Sequence, residues 1–367
     1  MSEHNVHVIS GKPALFIADR SDGRDNNFNL IRIIAASLVL VSHAYPLSLG
    51  AEFGQPFEST LHGLSLGLMC VWAFFAISGF FITRSFDRNP SAASFLIARA
   101  LRLFPALAVV TVITILVAGL LLTQAPPSVF WDEAGSYFIR NMLLFKLQYT
   151  LPGVFESNPY GAAINGSLWS LSYEVTCYVG VLLCGLLGFL GNKKIFAGLT
   201  LLFLCFYTVI VVFIDVNPRI EVLTRLGLPF LSGMVFYIWR RHVPLSWSLL
   251  ALSAALSFMA WFTPLFLPVF AISLSYAVIF AGYVKTPLLL RYNKLGDYSY
   301  GVYIYAFPIQ QLVAQSGVVT PVVNMAMSFP LSLLCAVLSW HFIEAPAMKL
   351  RFPRKAHGQA GTKQAAK

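Results

Sequence analysis

Residues 29–47 read "NLIRIIAASLVLVSHAYPL", a run apolar enough to cross a bilayer that still carries Arg32 near its start and His43 near its end. Eleven residues at about 100° each bring a helix round to within about 20° of its starting direction, so both side chains share one face. With a rise of about 1.5 Å per residue they stand about 16 Å apart along the axis, roughly half of a hydrocarbon core about 30 Å thick. One basic group therefore belongs near a membrane surface, and one titratable group lies deep inside, along one stripe.

The whole chain has the same character. Of its 367 residues 57% are hydrophobic and 11% charged, against about 25% charged in soluble domains. A polytopic, all-α membrane protein is the only comfortable reading. Cys70, Cys177, Cys184, Cys205 and Cys335 all fall inside apolar runs without paired or metal-ligand spacing, so neither disulfides nor a metal site is suggested. In such a chain the formal charge of +10 reports orientation before it suggests nucleic acid.

Apolar runs of spanning length stand at about 29–49, 64–84, 103–123, 167–190, 195–214, 221–239, 246–262, 264–282, 299–317 and 322–343. These predict about ten transmembrane helices, the seventh and eighth divided only by the proline-rich "FTPLFLP". Placing the N-terminus inside leaves only Arg140, Lys146, Arg219 and Arg225 among the 25 Lys and Arg outside, so both termini are expected in the cytoplasm. The domains expected are a cytoplasmic tail over 1–27, a membrane domain over 28–350 and a basic cytoplasmic tail over 351–367. The first 27 residues lack the apolar core of a cleavable signal peptide. In the long outer loop, 124–166, "FWDEAGSYFIRNMLLFKLQ" is amphipathic and predicts a helix lying at the outer surface.

Charges in hydrocarbon cost about 2.5–3.5 kcal/mol each on insertion scales, so each needs a reason. Arg32 suits a positive-inside anchor as well as a ligand contact, whereas a deep histidine such as His43 defaults to function unless a neighbouring helix satisfies it. "FFAISGFFIT" interrupts an aromatic run with Ser78 and Gly79, where a second backbone or a ligand can approach closely. Arg99 and Arg102, three apart, fit either the positive-inside loop or a forked grip on phosphates. In "NGSLWSLSYEV", Glu174 follows Asn165, Trp169 and Tyr173, and suits either a structural partner of a basic group or a catalytic one. Trp169 equally fits an interface aromatic. Glu344 and Lys349 read as markers of the membrane boundary.

Together these segments resemble the membrane acyltransferase-3 family, integral membrane enzymes that acylate bacterial surface and exported saccharides. The resemblance runs from about residue 25 to 350 and rests on Arg32-x10-His43, "FFAISGFFIT", Arg99-x-x-Arg102 and "LWSLSYE" ending at Glu174. "DYSYGVYIYAFP" and "HFIEAPA" complete it. One departure is Ala306, which stands where relatives often carry a histidine; Tyr300, Tyr303 and Tyr305 are the nearby substitutes.

The resemblance implies an O-acyltransferase in the bacterial inner membrane. Its donor would be acetyl-CoA, with no metal, and its acceptor a saccharide or lipid-linked saccharide. Arg32, Arg99 and Arg102 would then meet the donor's phosphates. The pantetheine arm would thread along the stripe past Ala35, Ala36 and Val39, with Ser78 and Gly79 also on the donor's path and small Gly79 widening the channel. His43 would be the general base and Glu174 would orient the imidazole or the acceptor, with Asn165, Trp169, Tyr173 and Tyr300 on the acceptor side. An acyl-histidine or acyl-tyrosine relay is an open variant. Ser78 is a poorer nucleophile on this reading, being close to the inner surface with no histidine beside it. The rival class is a transporter or flippase, although no internal repeat of the transporter kind is found.

Overall fold

The computed structural model describes residues 15–350, apart from 24, 215, 285 and 286. Residues 1–14 and 351–367 of the two expected tails thus lie outside the described residues. The fold is all-α, with no strand among the described residues. Its long helices are α1 (Phe28–Leu49), α2 (Leu66–Arg88), α3 (Ala92–Val117), α4 (Pro127–Leu143), α5 (Trp169–Leu186) and α6 (Lys193–Thr208). They continue as α7 (Pro218–Ile238), α8 (Trp247–Ala260), α9 (Phe266–Tyr283), α10 (Ser299–Gln315) and α11 (Pro321–Ser339).

Among the described residues eight helical stretches are long and apolar enough to cross a membrane, making this a multi-pass membrane protein. The other two expected spans are shorter, 14 residues in α8 and 17 in α10. Most of α10 is buried, and it carries Gln310 and Gln311 at 0% exposure, so it faces protein where lipid-facing helices need apolar side chains. The break between α8 and α9 falls at residues 261–265 and overlaps the first half of the predicted proline-rich turn.

Helix starts follow capping chemistry. Ser65 accepts from the Leu68 amide at 3.1 Å to open α2, and Ser91 from the Ser94 amide at 3.3 Å to open α3. With α3 beginning at Ala92, Arg99 and Arg102 lie two to three turns inside a continuous helix. At the far end, α11 runs through a π turn, Trp340–Glu344, into Ala345–Lys349. That wider turn accompanies an inward Glu344 with 1% of its surface exposed.

The tightest seam joins α2 to α7. A Cβ on Gly79 would fall 1.9 Å from the Phe230 carbonyl oxygen, and one on Gly233 would fall 2.1 Å from that of Ala76. Only glycine on both helices permits this approach, the small-residue packing on which membrane helices rely. A second close contact sets Ala36 of α1 against Val302 of α10 and Ala336 of α11. The amphipathic segment predicted in the long loop is α4, whose Phe130, Ala134 and Tyr137 pack on Ile115 and Ala118 and on the loop residues Leu151, Val154 and Phe155. Its Trp131, Ile139 and Leu143 face outward.

Candidate active site

A cavity of about 370 Å³ opens between α1, α2, α3, α5 and α10. Arg32, Arg99, Arg102 and Asp297 line its basic end, and Phe74, Ser170 and Tyr303 its deeper wall. Arg102 is the hub of that end. Its guanidinium donates to Asp297 at 2.7 Å and to Glu344 at 3.0 Å, and Arg32 reaches the same Asp297 oxygen at 3.4 Å. The Tyr300 and Trp340 rings each lie 5.7 Å from the Arg102 guanidinium carbon. Burial pushes the Asp297 carboxyl up, but Arg102, Arg32 and the Ser299 hydroxyl at 2.6 Å outweigh it and hold the group below the usual carboxylate range.

Ser78 and Glu174 meet in the middle of the cavity wall. The Ser78 hydroxyl donates to Glu174 Oε1 at 2.8 Å, and Tyr178, one turn on from Glu174, donates to the same oxygen at 2.5 Å. Successive helical residues point about 100° apart, so Ser78 faces α5 while Gly79 faces α7. Tyr303 bonds Ser170 at 2.6 Å, and Tyr300 donates to the Leu103 carbonyl at 2.9 Å.

Of the residues singled out from sequence, the cavity gathers Arg32, Ser78, Arg99, Arg102, Glu174 and Tyr300. The others lie elsewhere. Gly79 is filled against Phe230 and widens no channel, because its Cα is the contact point with α7. The stripe itself is closed: Ala35, Ala36 and Val39 are buried against neighbouring helices, so the open path follows α2 and α5 and leaves the face of α1 between Arg32 and His43 packed. The expected grip of Arg102 on phosphate is also revised, since two carboxylates already hold it.

His43 is not among the cavity-lining residues. Its ring stands edge-on to Phe307, centroids 5.4 Å apart, and its buried Nδ1 has no hydrogen-bond partner among the described residues. Glu174 therefore does not orient the imidazole; its hydrogen bonds go to Ser78 and Tyr178. Asn165 is structural in this arrangement. It caps the turn before α5 through the Ser167 amide at 3.2 Å and donates to the Ile304 carbonyl at 2.9 Å, which ties that turn to α10. The next residue, Gly166, lies against the same Phe307 ring that meets His43. Trp169 and Tyr173 pair with each other at 6.0 Å, half-buried outside the cavity lining.

Sequence reasoning did not single out Asp297 and read Glu344 only as a marker of the membrane boundary. Both stand inside the conspicuous strings "DYSYGVYIYAFP" and "HFIEAPA", and a carboxylate there opposite Arg99-x-x-Arg102 was the available signal.

The acyltransferase-3 family model, described as an acyltransferase domain, matches residues 25–341. An "O-acetyl transferase" of Shigella phage Sf6 is 32% identical over 345 residues, covering 88% of this chain and 95% of its own. "Nodulation protein 10" of Rhizobium leguminosarum bv. viciae is 29% identical over 376 aligned residues, covering 91% of this chain and 96% of its own. No solved structure matches the chain significantly. With a family match spanning all the cavity residues up to Trp340 and a relative named for acetyl transfer matched over nearly its full length, the chain belongs to the acyltransferase-3 family and is a membrane acyltransferase.

Proposed function

We propose that this protein moves a short acyl group, acetyl first among them, from cytoplasmic acyl-CoA to a hydroxyl of an exported or lipid-linked saccharide. The bundle would sit in a bacterial inner membrane with both termini cytoplasmic. The observation that carries this reading is the cavity, whose charged end and apolar interior match a donor with an anionic head and a thin arm. Arg32, Arg99 and Arg102 line that end, Arg102 held by Asp297 and Glu344 and Arg32 by Asp297, and supply the guanidiniums for the donor's phosphates. The pantetheine arm then runs along α2 and α5 and brings the thioester beside Ser78 and Glu174.

His43 is the general base toward the acceptor. A neutral imidazole needs no counter-ion in an apolar setting, and its unpartnered ring nitrogen is suited to take a hydroxyl proton. Phe307, between the Asn165 turn and His43, holds the ring in place. Trp169 and Tyr173, paired with each other at 6.0 Å, supply aromatic faces for the acceptor.

Reconstituted protein given acetyl-labelled acetyl-CoA and a lipid-linked saccharide acceptor tests the reading. His43→Ala should lose label transfer while still binding donor, and Arg32→Ala should weaken donor binding. Wild-type behaviour of both variants would remove these residues from the mechanism, and failure of the wild type to bind or cleave the donor would remove acyl-CoA.

A further inference from the structure

Resting on the acyl-CoA reading above, we propose that Ser78 takes the acyl group first, forming an acyl-serine intermediate with Glu174 as its base. Ser78 looked a poor nucleophile from sequence because no histidine stands beside it. The fold supplies a carboxylate in its place: Glu174 Oε1 accepts the Ser78 hydroxyl at 2.8 Å on the wall of the cavity, whereas His43 is not part of that wall. A donor lodged in the cavity meets Ser78 directly.

The steps balance with two bases. In the first, Glu174 takes the Ser78 proton as Oγ bonds to the thioester carbonyl carbon; the carbon–sulfur bond breaks and CoA leaves as the thiolate. In the second, the acceptor oxygen attacks the serine ester, its proton goes to His43, and the proton on Glu174 returns to the Ser78 oxygen as that bond breaks. Each base serves one side of the acyl carbon, which accounts for two separated titratable groups. Tyr178, donating to Oε1 at 2.5 Å, fixes the carboxylate toward Ser78 and is a positioning residue.

The test uses the full chain in lipid nanodiscs with acetyl-labelled acetyl-CoA and no acceptor, quenched in denaturant and mapped by peptide mass spectrometry. Wild type and His43→Ala should carry one acetyl on the peptide holding Ser78, and His43→Ala should accumulate it when acceptor is added. Ser78→Ala should lose both label and turnover while keeping donor binding. Ser78→Cys should carry the label as a thioester that neutral hydroxylamine cleaves, a signature that a merely structural role would not produce and that stands even if the alanine variant folds poorly. Glu174→Gln should slow labelling about a hundredfold or more. Label on a histidine or tyrosine, or wild-type turnover by Ser78→Ala, overturns the serine and leaves the donor reading standing. Absence of CoA release by wild type, with and without acceptor, overturns the donor reading and this one with it.

Discussion

Arg32 and His43 lie on one face of one helix, and their surroundings are opposites. Arg32 sits in a charged network, shared with Asp297, Arg102 and Glu344. His43 sits beside an aromatic edge with an unpartnered nitrogen. The difference follows from what each group costs in a low dielectric. A guanidinium stays charged and must bring counter-charges with it, so the Arg32 end is a closed set of mutual obligations. An imidazole sheds its proton and can be buried neutral, leaving a lone pair for chemistry. One end is built to hold charge and the other to receive a proton.

The comparison is broken most severely at Arg102. Arg102→Leu leaves Asp297 and Glu344 as buried carboxylates without their shared cation, which costs about 3–5 kcal/mol. Thermal unfolding in detergent should show a large loss of stability, and the triple change with Asp297→Asn and Glu344→Gln should recover much of it. At the other end, His43→Ala removes no counter-charge, so its stability should stay within about 1 kcal/mol of wild type while acyl transfer falls about 10²–10⁴-fold. Equal unfolding of both variants would mean that the two ends are not different in kind.

Smaller and specific to the charged end is a pH effect. Asp297 is held below the usual carboxylate range by Arg102 and Arg32, so it binds fewer protons in the folded state than in the unfolded one. Its contribution is present above the unfolded value of about 4 and is lost as pH falls through the folded value. The melting temperature of wild type should exceed that of Asp297→Asn at neutral pH, and the gap should close below about pH 4. A gap independent of pH would show that Asp297 is held by packing and not by charge.

The sequence showed much of this and hid a particular part. Hydrophobic run length revealed the helices, because the bilayer fixes how long an apolar segment must be. Spacing along one helix put Arg32 and His43 on one face. What a single helix does not reveal is which neighbour each face meets. Ser78 and Gly79 are adjacent in the chain, yet one meets Glu174 and the other the backbone of Phe230, 96 and 151 positions away. Asp297 and Glu344 were visible as residues and invisible as partners, since their pairing with Arg102 crosses three segments and depends on the π turn after α11. The closing of the Arg32–His43 stripe likewise depends on Val302 and Ala336, whose approach no local pattern announces.

The smallest effect is expected at Phe307, and it sharpens the comparison most. The ring touches His43 on one side and Tyr160 on the other, and the Asn165–Gly166 turn rests on it. Phe307→Leu keeps an apolar side chain and removes the edge contact, worth about 0.5–1.5 kcal/mol in aromatic pairs. Acyl transfer to the saccharide should fall by up to about tenfold, because the imidazole gains freedom to turn away from the acceptor hydroxyl. Donor binding and acyl-enzyme formation without acceptor should be unchanged, since both belong to the cavity on the other side of Tyr303. A matching loss in donor binding would mean that Phe307 and the cavity move as one unit, and the two ends of the stripe would then have to be treated as a single site.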